Sequence, residues 1–316
     1  MFIALITLLV AGCDKLAVAF APAKKPILAD TPLATQAKRQ FWMTLHQGHY
    51  DRLPETTELL TAAYLQYPND PELAAYLGFA HIWWISERQR LTQLPPNIVN
   101  HIILAHKYFA DAHELAPNDA RILGFYGVSQ LVEGKLFANQ REQTKGYLTL
   151  KRAIHAWPQF NYFTASYPLS TLPRDDKLFR QALAWQWRTL DICAGKKVDR
   201  RNPDYTPYMH LQTTQGTSRA CWNSWIAPHN FEGFFLNMGD MLVKQGDWQT
   251  AIKIYNNAKL SPHYSQWPYK DILQTRITNA KTNVEKFNQS TPLTAMPPRP
   301  TIMFNSRFSC MACHQE

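Results

Sequence analysis

None of the apolar runs in the 316-residue chain is long enough to cross a bilayer: a spanning helix needs about 20 such residues, and the N-terminal run from Phe2 to Gly12 falls well short. Alternation of apolar and polar residues, the mark of a half-buried strand, is rare, which leaves little room for a sheet. Absent too are a glycine-rich phosphate loop, a serine-nucleophile motif and an identifiable pair of catalytic carboxylates, the commonest sequence grounds for a nucleotide-dependent or hydrolytic enzyme. Lys and Arg (33) exceed Asp and Glu (24), for a formal net charge of +9, yet the basic residues are scattered and form no block. That distribution argues against nucleic acid and fits an acidic partner or an anionic lipid surface, or simply a solvated basic surface. What the chain has is apolar mass, 46% of its residues with 13% aromatic, enough to bury one or two cores.

The N-terminal run ends Val10-Ala11-Gly12-Cys13. It resembles the signal and lipobox of bacterial lipoproteins, which implies a signal peptide over residues 1–12, cleavage before Cys13 and a lipid on Cys13. The sequence departs from that pattern in having no Lys or Arg ahead of the apolar run; an ordinary cleaved signal and a buried first helix are the alternatives. Asp14 resembles the inner-membrane retention signal of enterobacterial lipoproteins. Residues 13–35 are rich in Ala, Pro and Lys, with Pro22, Pro26 and Pro32 opposing a helix, and read as a tether that sets the folded body off the membrane on its periplasmic side.

Four stretches place a large apolar residue three positions before Ala and a Pro a few residues further on: Leu60/Ala63/Pro68, Phe109/Ala112/Pro117, Leu150/Ala153/Pro158 and Tyr255/Ala258/Pro262. In a helix the first two lie on one face, the Ala admits a neighbouring helix, and the Pro ends the element. The last copy is the fullest, with Phe235, Gly239 and Leu242 on a first helix, a turn at Gly246-Asp247-Trp248, then Ala251, Tyr255 and Ala258. Here the chain resembles the tetratricopeptide repeat, a helix-turn-helix unit of about 34 residues. Ala105, Phe109, Ala112 and Pro117 match as well, with Gly78 as the small residue of the preceding helix, although the connection around Arg88 to Asn100 is longer than the family pattern. The expected fold is therefore all-α: helical hairpins stacked as a solenoid over residues 36–160 and 231–288, each unit burying its apolar face against the next.

Between these blocks, residues 161–230 carry many aromatics and several prolines and read as a helical and irregular insertion, with a helix from Asp175 to Ile192. Cys193 and Cys221 fall in this stretch. In an exported protein they are a disulfide candidate, the alternative being two buried cysteines that behave as small apolar residues. The tryptophans Trp83, Trp84, Trp185 and Trp187 lie at helical positions, where large aromatics serve packing more often than ligand binding. Asp70, Asp119 and Asp175-Asp176 stand where helices start, as caps.

From residue 289 the composition changes to a Pro-rich strap that runs to the end of the chain at residue 316 and carries Cys310-Met311-Ala312-Cys313-His314. One helical turn between two cysteines projects both thiols to one side, where they can add to the two vinyl groups of one haem, while the adjacent histidine turns onto the iron. In this the motif resembles the attachment site of c-type cytochromes, which implies one covalent haem c held by Cys310 and Cys313 with His314 as an axial iron ligand. A thioredoxin-like pair would sit in a strand-helix setting that is not evident here, and a zinc site would need a fourth ligand from elsewhere. Only Gln315 and Glu316 follow the histidine, so a sixth ligand must come from upstream; the candidates are His229 in the Ala227-Pro228-His229-Asn230 turn, then Met303 and Met296 in the strap, with His81 and His106 on helical stretches.

The resulting expectation is a lipid-tethered haem protein of the bacterial envelope, exchanging electrons with a periplasmic or membrane redox protein docked on a helical-repeat scaffold. An interaction or assembly factor with a sensing or structural haem, and an enzyme with a five-coordinate haem, are the competing classes. A six-coordinate low-spin iron would favour electron transfer, an open iron the others.

Overall fold

The computed structural model describes residues 24–213, 215–222, 231–289 and 300–315. Cys13, Asp14, His229 and Met296 lie outside them. Among the described residues the regular structure is helical and there is no β-strand. No described helix is long and apolar enough to cross a membrane.

Local chemistry sets the helix starts. Helices α1 (Pro32–His46), α2 (Leu53–Gln66) and α3 (Pro71–Ser86) each begin with a proline in the first two positions, where its fixed φ suits the helix and the missing N–H costs nothing. Asp70 caps α3 by accepting from the Glu72 and Leu73 amides. Asp119 does the same for α5 (Ala120–Leu136), which follows α4 (Asn100–Leu115). Asn139 caps α6 (Gln140–Ala156), and Asp176 caps α8 (Lys177–Ala194) after α7 (Pro158–Leu169). These side chains accept backbone donors that have no partner within the helix. Pro158 begins α7 directly after the end of α6, and α8 ends at Gly195 in the left-handed conformation, with φ +69°, as a helix C-terminus commonly requires. The C-terminal block adds α9 (Phe231–Gln245), α10 (Trp248–Asn257), α11 (Lys270–Thr278), α12 (Ala280–Asn288) and the short α13 (Met311–His314).

Consecutive helices pair as hairpins, α1 with α2, α3 with α4, α5 with α6, α7 with α8 and α9 with α10, and neighbouring hairpins pack on one another. The result is a helical, solenoid-like stack. The four repeat positions identified in the sequence share a single packing role: Leu60, Ala63, Phe109, Ala112, Leu150, Ala153, Tyr255 and Ala258 are all fully buried. On the preceding helix of three hairpins a glycine opposes the large residue. A Cβ on Gly78 would stand 2.7 Å from the Phe109 ring, one on Gly127 3.0 Å from Leu150, and one on Gly239 would overlap the Tyr255 ring. The absent side chain lets the helix axes approach and the large partner fill the space.

The aromatic-rich middle stretch opens with the α7/α8 hairpin and continues the stack before becoming irregular. Cys193 at the end of α8 is bonded to Cys221, with the Cα atoms 5.7 Å apart. The apolar interior forms two main clusters. One is built on α1 to α4, the other on α6 to α12 together with the strap.

Candidate functional site

Residues 300–315 are held by polar contacts on both sides, from the first hairpins and from the C-terminal block. Asp240 on α9 is fully buried. It accepts from the Tyr255 hydroxyl at 2.7 Å and the Met303 amide at 2.8 Å, and pairs with Arg276 at 3.2 Å; burial pushes its carboxyl up, against the opposing pull of Arg276. Arg276 in turn donates to the Thr301 carbonyl, and the Gln89 amide to that of Asn305. Further along, the Tyr167 hydroxyl donates to the Ser309 carbonyl at 2.8 Å.

The motif itself begins at Glu87. This fully buried carboxylate accepts through Oε1 from the amides of Cys310 (2.7 Å) and Met311 (2.8 Å). Through Oε2 it accepts from Trp83 Nε1 (3.1 Å) and Arg90 Nε (2.6 Å). Glu87 therefore caps α13 from a residue more than two hundred positions away, and satisfies backbone donors that would otherwise be buried unpaired. Burial, opposed by Arg90, pushes the Glu87 carboxyl up. The Cys310 thiol is pushed up by burial first and by Glu87 second.

On its other side α13 rests against the C-terminal block. Trp267 Nε1 donates to the Ala312 carbonyl at 3.0 Å, and the Tyr269 hydroxyl to Gln315 Oε1 at 2.7 Å. A Cβ on Gly233 of α9 would stand 2.5 Å from the Ala312 oxygen and the Cys313 sulfur, so that position has no room for a side chain. Met311 belongs to the apolar cluster of α1 to α4, and Ala312 and Cys313 to that of the later helices. The motif is thus a wedge between the two cores, not a free tail.

Cys310 and His314 open into a cleft of about 360 Å³. Its walls come mainly from α1, α3, α5 and α7, the first helices of successive hairpins, with Ile102 and Ala105 from α4, and include Trp42, Tyr76, Phe125 and Tyr167. Asp119 and Arg121 supply charge on the lining, paired with each other at 2.7 Å. Such a concave, largely apolar space with few polar groups is the ordinary form of a small-molecule or cofactor site.

Met303 is fully buried in the later cluster, and its neighbour Phe304 is the one that reaches the cleft. His81 and His106 are engaged elsewhere: His106 with Glu133, and His81 Nδ1 with His101 Nδ1 at 2.8 Å. Trp83 serves Glu87, while Trp84 stacks on His101. Among the described residues, no group of three or more His, Cys, Asp and Glu side chains gathers as a metal site would require. No protein-family model matches the chain, nor does any curated protein or solved structure.

The buried His81 carries its own expected result. Burial, and His101 beside it, lower its pKa from the usual 6.5 to about 3, so the folded protein keeps it neutral where the unfolded chain takes up a proton. Its contribution is present above pH 6.5 and is lost as the pH falls from there toward 3, at about 1.4 kcal/mol per pH unit. In urea titrations the stability gap between the wild type and His81→Asn should narrow by about 2 kcal/mol between pH 6.5 and 5. A gap that stays constant would show that His81 does not titrate in this way.

Proposed function

We propose that the chain is a c-type haem protein of the bacterial envelope. The observation that carries the reading is the placement of Cys310-Met311-Ala312-Cys313-His314 on a helix anchored between two cores, with Cys310 and His314 facing an aromatic cleft. The donor set fits the group. Cys310 and His314 line the cleft, whereas Cys313 packs against Gly233 of α9 in the other core. Two thiols one turn apart would suit thioether links to two vinyl carbons once Cys313 turns toward the cleft, and the imidazole would suit the iron. A structural zinc site would need a fourth ligand from elsewhere, since the motif supplies three.

In this assignment Cys310 and Cys313 hold the ring and His314 ligates the iron. The group supplies a one-electron redox couple when bound. The protein's share of the work is to keep water from the cleft with Phe and Trp side chains and to hold the motif rigid through Glu87, Trp267 and Tyr269. The repeat pattern supports a tetratricopeptide-like scaffold, with a periplasmic or membrane redox protein as the docking partner. The Val10-Ala11-Gly12-Cys13 sequence supports lipidation at Cys13, and the resemblance of Asp14 to a retention signal supports anchoring to the inner membrane.

The test is expression of the full chain into the periplasm with a haem maturation system, followed by haem staining of a denaturing gel. The wild type should stain, and Cys310→Ala together with Cys313→Ala should abolish the stain without unfolding the helices, as read by circular dichroism. A wild type that carries no covalent haem under those conditions overturns the proposal.

A further inference from the structure

We infer that His46, on α1, is the second axial ligand of the iron that His314 binds; this rests on the haem reading above. His46 occupies the last turn of α1 and is buried, with 7% of its surface exposed. Its ring centre lies 6.2 Å from that of His314, with the ring planes 78° apart. An imidazole nitrogen binds a metal at about 2 Å and its ring centre lies roughly 1 Å beyond, so two imidazoles on opposite sides of one ion stand roughly 6 Å apart between centres. The spacing in the folded chain is the one that a shared ion requires. The 78° angle excludes parallel stacking and is also that of an edge-to-face ring contact, so the distance, not the angle, carries the inference.

The surroundings hold that spacing. Trp42, one turn earlier on α1, stacks on the His46 ring with centres 5.6 Å apart, and Trp42 and Leu45 line the cleft together with His314. His46 follows Leu45 directly but is not itself on the lining. Helix α1 packs against α13, and the turn that follows His46 meets the residue that follows His314: a Cβ on Gly48 would lie 2.7 Å from the Gln315 side chain. Gln315 is itself held by Tyr269. Both histidines are thus fixed by backbone elements that touch one another. An imidazole kept in place by packing on one face is what a ligand needs to bind without reorganising the protein. Met303, the strap methionine among the described residues, is buried in the cluster of the later helices instead.

Two ligands of this kind make a coordinatively closed iron, suited to passing electrons and closed to small-molecule substrates. The measurements are the haem stain, the absorption spectra of both oxidation states, and near-infrared magnetic circular dichroism of the oxidised wild type, which reports the pair of axial ligands. The wild type should be low-spin, unresponsive to carbon monoxide when reduced, and show a bis-imidazole signature. His46→Ala should stain equally but become high-spin and bind carbon monoxide, and added imidazole should restore the low-spin spectrum. His46→Met, closer in volume, should remain low-spin with a raised potential, since thioether ligation favours the reduced iron. If His46→Ala fails to fold, the wild-type ligand signature and His46→Met decide the matter. A stained wild type that is high-spin, or whose spectrum neither substitution changes, overturns this assignment while leaving the haem reading intact. An unstained wild type removes both.

Discussion

Glu87→Ala is expected to cost about 3–5 kcal/mol, the range for removing one partner of a buried ion pair, and to release the last residues of the chain from the body. Four donors converge on this carboxylate: two backbone amides of the motif, the Trp83 indole and the Arg90 guanidinium. Each donor left buried without a partner carries a penalty of about 1–3 kcal/mol, but the penalties do not simply add, because the chain end can move into solvent. Release is therefore the expected route of relief. Urea unfolding would measure the cost, and limited proteolysis would read the freed terminus. Glu87→Gln keeps an oxygen able to accept from Cys310 and Met311 and should retain much of the docking, while losing the attraction to Arg90. A Glu87→Ala variant with near wild-type stability and an equally protected C-terminus would mean that apolar burial of Met311, Ala312 and Cys313 alone holds the wedge. With haem attached, the same variant separates the two roles of the site. The stain depends on the thiols and should survive, whereas the ligation proposed for His46 depends on docking and should be lost.

Much of the helical framework could be read from residue spacing. Leu60, Phe109, Leu150 and Tyr255, each three positions before an alanine, mark the buried face of the second helix in four hairpins, because that spacing is a property of the helix itself. Gly78 and Gly239 could be placed for the same reason. The acidic helix caps followed from local chemistry: Asp70, Asp119 and Asp176 accept amide protons two or three residues away. The motif stood out in the sequence by its resemblance to a haem attachment sequence, since both thiols and the imidazole lie within five residues. Its setting was not. Glu87 ends a helix as an isolated acidic residue, and nothing local marks a contact with Cys310 across 223 positions. His46 likewise sits in a polar-looking helix end, Leu45-His46-Gln47-Gly48, and only the return of the strap brings His314 beside it. The α7 helix was hidden for a different reason: Pro158, a stop signal for α6, is also an acceptable first residue for the next helix, so a single residue supports both readings.

The second large effect is expected at Asp240, the anchor at the other end of the strap. Asp240→Ala leaves Arg276 as a buried charge without its carboxylate, and deprives the Tyr255 hydroxyl and the Met303 amide of their acceptor. The expected loss is again about 3–5 kcal/mol, but its distribution differs from that at Glu87. Tyr255 fills the space opposite Gly239 in the α9/α10 hairpin, so loosening its hydroxyl weakens a repeat as well as the strap. Hydrogen exchange should accordingly show opening of α9 and α10 in Asp240→Ala, and opening confined mainly to the chain end in Glu87→Ala. The double variant provides the sharper comparison. If both carboxylates act by holding one strap, the strap is already free after the first substitution, and the second removes contacts that no longer form. Its combined cost should then fall short of the sum of the single costs by about 1 kcal/mol or more, within the range seen for residues that share a partner. Full additivity would mean that the two anchors stabilise independent parts of the stack, and that the strap contributes little to joining them.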